Sequence, residues 1–235
     1  MIGRMVETLT LATLALAAGL GAARPAQAQD AKATYPSMAP IEQYRMERDA
    51  EIALARSAAP ESISRDAEVV VLGARGYETA AQGTNGFVCM VLRSWTAGID
   101  DPVFWNPKIR GAACFNPPGA RTYLPIVFKK TELILAGRSK AQMFEAIKED
   151  FDKKELSAQE SGAMCYMLSK QSYLSDRSPH WHPHLMFFVP QTEAATWGAD
   201  LPGSPILAGP DPEDRLSVFI VPVTRWSDGT AAPAY

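Results

Sequence analysis

Proline and glycine interrupt this chain so often that no long helix or strand can run through it: 18 prolines and 16 glycines are spread over 235 residues. Proline locks φ and lacks a backbone donor, and glycine favours turns, so the chain must be built from short elements joined by ordered turns. Between the breaks, residues 67–72 (with Val69, Val70 and Val71) and 87–92 are β-branched or apolar runs that predict strands. Asn85-Gly86 supplies a turn just before the second run, which predicts a hairpin closed by a long loop over 73–85. Three more short runs, 163–169, 184–189 and 216–223, also predict strands, and the Pro- and Gly-rich stretch 198–212 joins the last two.

Helical periodicity appears in three places. Pro40 suits a first turn, and Ile41, Tyr44, Ile52 and Ala55 fall on one face of a helix expected over 40–59, before Pro60. A second helix is expected over 121–136, with Leu124, Phe128, Thr131 and Leu135 on one face and Gly137 as its stop. A third begins after Ser139, which forms a capping-box pattern with Gln142 and precedes the apolar face of Met143, Phe144, Ile147 and Phe151. Residues 95–119 read as a long ordered loop, in which Asp100 and Asp101 before Pro102 are a turn device. About five strands and about three helices arriving in blocks predict an α+β fold with a mainly antiparallel sheet.

The first 28 residues read as a secretory signal peptide. Arg4 precedes an uncharged apolar run over 9–23, and Ala26-Gln27-Ala28 forms a small-x-small cleavage signal. The run is shorter than the roughly 20 residues a spanning helix needs. Residues 29–37 then form a flexible leader and 38–235 a single domain in a periplasmic or secreted protein, with no stable membrane span after cleavage. The net charge of −3, without a basic run, excludes nucleic acid as a natural partner. Of three cysteines, Cys165 lies in the apolar run Ala163-Met164-Cys165-Tyr166-Met167-Leu168 and suits a buried, inert thiol, so Cys89 and Cys114 are the expected disulfide.

The chemistry-bearing stretch is Ser178-Pro179-His180-Trp181-His182-Pro183-His184, which holds all three histidines of the chain and runs into an expected strand. In extended backbone, alternate residues share a face about 7 Å apart, so His180, His182 and His184 can converge on one divalent ion. Neutral imidazole suits Zn or Cu; Asp176 or Glu193 would add a carboxylate, and Met164, Cys165, Met167 and Met186 nearby would bias the site towards copper. The same residues also permit acid-base work by one histidine, or a structural role in which Trp181 anchors and the rings bond turn backbone. No nucleophile elbow is present: Gly203-Ser204-Pro205 lacks the second glycine.

Three segments, Glu51-Ile52-Ala53-Leu54-Ala55-Arg56-Ser57-Ala58-Ala59-Pro60, Gly83-Thr84-Asn85-Gly86-Phe87-Val88-Cys89 and Ser178-Pro179-His180-Trp181-His182-Pro183-His184-Leu185-Met186-Phe187-Phe188, resemble those of a family of bacterial exported proteins without an assigned activity. The resemblance implies a bacterial origin and an exported location, and it carries over no functional residue. The residues predict an exported protein that binds a metal ion or small ligand through the histidine cluster. A metal-dependent hydrolase and a non-catalytic envelope or interaction module are the alternatives.

Overall fold

The computed structural model describes residues 35–176 and 181–233. The expected signal peptide, most of the leader and His180 lie outside the described residues. Its strands are β1 (Glu68–Gly73), β2 (Gly76–Ala81), β3 (Val88–Leu92), β4 (Gly111–Phe115), β5 (Met164–Met167), β6 (His184–Pro190), β7 (Leu207–Asp211) and β8 (Leu216–Pro222). They form one sheet in the order β2-β1-β3-β4-β5-β6-β8-β7. The helices are α1 (Arg48–Arg56), α2 (Glu61–Ser64), α3 (Pro117–Thr122), α4 (Leu124–Leu135) and α5 (Lys140–Asp152). The class is α+β, as the sequence predicts, but the sheet has eight strands rather than about five.

The expected hairpin between the first two apolar runs does not form. β1 turns tightly at Gly73–Gly76, where Gly76 holds a φ of +125°, and pairs with β2 instead. The chain then crosses the end of β1 and enters β3 on its other edge, so Glu68 and Val69 lie opposite Val88 and Cys89 in parallel. This crossing needs glycine at 83, because a Cβ there would sit 2.1 Å from the Glu68 backbone nitrogen. Thr84 N donates to Asp66 O at 2.8 Å and Glu68 N to Phe87 O at 2.9 Å, which holds the return. The remaining neighbours pair antiparallel, so the sheet is mixed.

Two faces bury against different partners. On one, α1 and the turn that follows it lay Leu54, Ala55 and Ala58 on Val69, Val71, Val91 and Ala112. On the other, α4 and α5 bring Ile126, Val127, Ile134, Met143 and Ile147 into the cluster that holds Val70, Leu72, Met90, Ala113 and Phe115. β4, which the sequence pattern assigns to a loop, is a fully buried central strand of small residues (Gly111, Ala112, Ala113) hemmed in on both faces. A Cβ on Gly111 would come within 3.1 Å of Leu174. Cys89 and Cys114 stand opposite one another on β3 and β4 with their sulfurs at bonding distance, as expected.

The helices also depart from the sequence pattern in instructive ways. Residues 40–59 do not form one helix: a 3-10 turn at Ile41–Gln43 ends at Tyr44, and α1 starts only after Glu47 caps the Ala50 N–H at 3.1 Å. The break is set by Tyr44, which is wholly buried, donates its hydroxyl to Trp105 O at 2.9 Å and gives its own carbonyl to Arg93 Nε at 2.7 Å. The helix expected over 121–136 is two: Asn116 caps α3 through the Gly119 N–H, and α4 follows Tyr123. The stop at Gly137, with φ +70°, and the Ser139–Gln142 capping box are both present.

Arg93 and Glu51 are 0% and 1% exposed and pair at 2.8 Å. Glu51 Oε1 also accepts the Leu72 N–H at 3.0 Å, so one carboxylate ties α1 to β1 and to the end of β3. Removing one partner leaves the other charged, buried and alone. Glu51→Ala is expected to lower the free energy of unfolding by about 3–5 kcal/mol, whereas Glu51→Leu with Arg93→Met recovers much of that loss. Urea unfolding of the three proteins checks this, and a single variant as stable as the parent contradicts it.

Candidate functional site

The histidine stretch feeds the outer part of the sheet. His184 opens β6, where it lies opposite Met167 of β5 and Pro222 of β8. The pairing continues one step further, since Val223 N donates to Pro183 O at 2.8 Å although Pro183 has no donor of its own to return. The His184 ring is held at Nδ1 by the His182 carbonyl, 2.8 Å away, and meets the Trp181 ring edge-on at a centroid distance of 5.8 Å. Trp181 in turn packs edge-on against Trp226 at 5.1 Å. Burial pushes the His184 imidazole below its ordinary value, with the His182 carbonyl pulling the other way.

His182 takes a different position. It lines a cavity of about 730 Å³ at the end of the sheet where β7 begins and β8 ends. Leu207 and Pro222 come from those strands, and Gly203, Ser204 and Pro205 from the loop before β7. The far wall is Ala231, Ala232 and Pro233, brought back by a tight turn in which Trp226 N donates to Thr230 O and Ala232 N to Thr224 O, both at 2.9 Å. Asp228 pins that turn by accepting from Thr230 N at 3.0 Å and from Lys170 Nζ at 2.7 Å, and the lysine holds its carboxyl far below the usual range.

Asp176 and Glu193, the carboxylates offered by the sequence, are placed away from His184. Asp176 accepts from the Tyr35 and Asn106 side chains on one oxygen and from Tyr173 and Lys108 on the other. The tyrosine hydroxyls, Tyr173 foremost, draw its carboxyl below the ordinary value. Its lone pairs already belong to a surface knot that ties residue 35 to the loop before β4. Glu193 sits beyond the other end of β6, before the 3-10 turn Ala194–Trp197, and six strand residues at about 3.3 Å each separate that end from His184. Among the described residues no three His, Cys, Asp or Glu side chains gather as a metal-binding group. Cys165 is buried opposite Met186, and desolvation pushes its thiol far above the ordinary value, in keeping with an inert thiol.

The cavity itself was not legible in the sequence pattern. Its walls come from a Pro- and Gly-rich loop and from residues 222–224 and 231–233, which carry no ordered motif. The nearest signal is the cluster of turn residues, since Gly203 and Asp200 hold left-handed φ values of +81° and +58° that fold the loop back onto the strand edge. Among the described residues no helix is long and apolar enough to cross a membrane. No family model, curated protein or solved structure matches the chain.

The depressed pKa of His184 fixes the sign of one pH effect. The folded chain prefers the neutral ring, so this contribution to stability is complete above the ordinary value of about 6.5 and is lost as pH falls through it towards the lower folded value. The urea midpoint of the parent is expected to drop between about pH 7.5 and about pH 5 by more than that of His184→Leu. Parallel pH profiles for the two proteins would refute it.

Proposed function

We propose that this protein binds a small, predominantly apolar molecule in the cavity between β7, β8 and the returning segment 231–233, with His182 as the polar contact that orients it. The observation that carries the reading is the wall: Pro205, Leu207, Pro222, Val223 and Ala231 enclose a volume of about 730 Å³, and His182, Ser204 and Thr224 supply the few polar groups. Small-molecule sites are commonly concave, mostly apolar and of about 300–1,000 Å³, with a few convergent polar groups that give orientation. Leu207 remains 47% exposed at its mouth, an apolar surface that a ligand would cover.

Binding is favoured over hydrolysis because the described lining is predominantly apolar and His182 is its one titratable side chain. It is favoured over metal binding because no three His, Cys, Asp or Glu side chains gather among the described residues and the Asp176 oxygens are taken. An exported location fits the reading: the pattern of the first 28 residues and the Cys89–Cys114 pairing both suit an oxidising compartment.

The test is a titration of the full mature chain with the fluorescent apolar anion 1-anilinonaphthalene-8-sulfonate. Saturable binding is expected for the parent, weakened about tenfold or more, or about 1.4 kcal/mol, by Leu207→Asp, which places a charge at the exposed mouth without disturbing the core. His182→Ala is expected to weaken binding less. Equal affinity in all three proteins would place the dye elsewhere and defeat the proposal.

A further inference from the structure

Among the described residues, three that are not glycine hold a left-handed backbone: Lys154 at φ +62°, Asp200 at +58° and Arg215 at +53°. In this conformation a Cβ crowds the neighbouring carbonyl, so the position goes most readily to glycine, or to Asn and Asp, whose short side chains bond nearby backbone. Asp200 is of that kind, since its Oδ1 accepts from Ala208 N at 3.3 Å. Lys154 and Arg215 are not. Lys154 ends α5 in a turn where Glu155 N donates to Asp150 O at 2.8 Å and Lys154 N to Phe151 O at 3.1 Å, a helix stop that usually carries glycine. Arg215 closes the β7–β8 turn by donating its N–H to Pro212 O at 3.2 Å. Neither turn requires a long cationic side chain.

The two cations meet at one place. With Phe151, Leu156, Ser157 and Ala158 they line a cavity of about 330 Å³, at the opposite end of the β7–β8 hairpin from the cavity that holds His182. Phe151 and Leu156 are buried and give it an apolar wall, and the Arg215 guanidinium lies over the Phe151 ring at 5.2 Å from its centroid. Among the described residues, both hydrogen bonds of that guanidinium leave from Nη2, to Asp152 Oδ1 at 2.5 Å and to Lys148 O at 3.5 Å. Nε and Nη1 therefore remain as donors. The neighbouring Lys153 is paired with Glu149 at 2.5 Å, whereas no carboxylate among the described residues pairs with Lys154. The described lining holds two cations, the Ser157 hydroxyl and no carboxylate.

We propose that this cavity is a second binding site, one that takes a small organic carboxylate: Lys154 and Arg215 hold the charged end, and Phe151 and Leu156 receive the apolar body. The left-handed backbone at both cations is what a binding role accounts for, because strain of this kind persists where contact with a ligand, and not the stability of the turn, decides the residue. A guanidinium meets a planar carboxylate through two parallel N–H bonds, and the lysine ammonium adds a point charge beside it. The volume lies at the lower end of the range for small-molecule sites, which suits a single ring or a short branched chain. Charge selects a carboxylate over a phosphate monoester. The last carbonyls of α5 and the Asp152 carboxylate both face this end of the helix, so a second negative charge on the ligand meets repulsion where one is balanced.

The experiment is an NMR titration of the nitrogen-15-labelled full mature chain with benzoate, with benzyl alcohol as its uncharged counterpart and phenyl phosphate as its dianionic one. Benzoate is expected to move the amide signals of residues 154–158 and 215 saturably, and the other two probes to bind there about tenfold more weakly or less. Lys154→Gly and Arg215→Gly are each expected to weaken benzoate about tenfold or more. Glycine suits both backbones, so the urea midpoint of Lys154→Gly is expected to hold or rise while binding is lost, which separates a lost contact from a lost fold. Lys153→Gln removes the same charge from outside the lining and is expected to leave benzoate binding unchanged, as is Leu207→Asp in the other cavity. Signals of residues 154–158 and 215 that benzoate does not move, binding that survives both glycine substitutions or falls equally with Lys153→Gln, or a match by either other probe would overturn the proposal.

Discussion

The buried ion pair of Glu51 and Arg93 is the constraint around which the first half of the chain is arranged. A guanidinium with no exposure is tolerable only if its donors are met, and here they go to Glu51, to the Val91 carbonyl and to the Tyr44 carbonyl. Each partner belongs to a different piece of chain, so satisfying one charge fixes α1, β3 and the turn at Ile41–Gln43 at once. It also explains why the helix expected from residue 40 stops at Tyr44: continuing it would bury that carbonyl in a helical bond and strip Arg93 of an acceptor. The cost spreads to Arg110, which burial and the Arg93 charge push down to about 10.

Across the sheet, the same face changes character in a way that accounts for the cavity. One row of paired residues runs Phe115, Cys165, Met186, Ile220, Leu207 from β4 to β7. Phe115 and Cys165 have no exposure, while Leu207 is nearly half exposed. Helices α4 and α5 are short, as the proline and glycine spacing requires, and they pack over the β1–β3–β4 part of the sheet. The outer hairpin is anchored under α4 only at its turn, through Lys130 and Asp214, and its other end is left to loops. Loops cover an apolar sheet face less completely than helices do, and a concave space lined by Leu207 and Pro222 remains.

Much of this was legible before folding was considered. The valine run of β1, the apolar run of β6 and the Ser139 cap of α5 carry strong local signals, and each sits where its pattern puts it. What escaped has a common cause. β2 is an edge strand with a half-polar, half-exposed pattern, β4 is built of small residues, and β7 contains Gly209 and Pro210. A strand of that kind is made by its neighbours, since its own side chains have little β preference and its backbone is organised only when a ladder stands beside it. The histidines show the same limit. Their alternation on an extended chain was readable, yet His184 turns to the His182 carbonyl and Trp181 while His182 opens to the cavity.

By itself, then, the amino-acid order determined the class of fold, five of the eight strands, Cys165 as a buried thiol set apart from the other two cysteines, and the stretch nearest to the candidate site. These follow from propensities and periods that act over a few residues. Only the tertiary structure decided that β1 and β3 run parallel, that Asp176 belongs to a tyrosine knot, that the cavity exists and that Lys130 meets Asp214, 84 positions further along the chain. Those outcomes depend on the backbone crossing at Gly83 and on the packing of buried charges from distant segments. Neither the close approach of two backbones nor the shared burial of ions leaves a trace in local sequence, because both are set by which surfaces the whole chain can remove from water together.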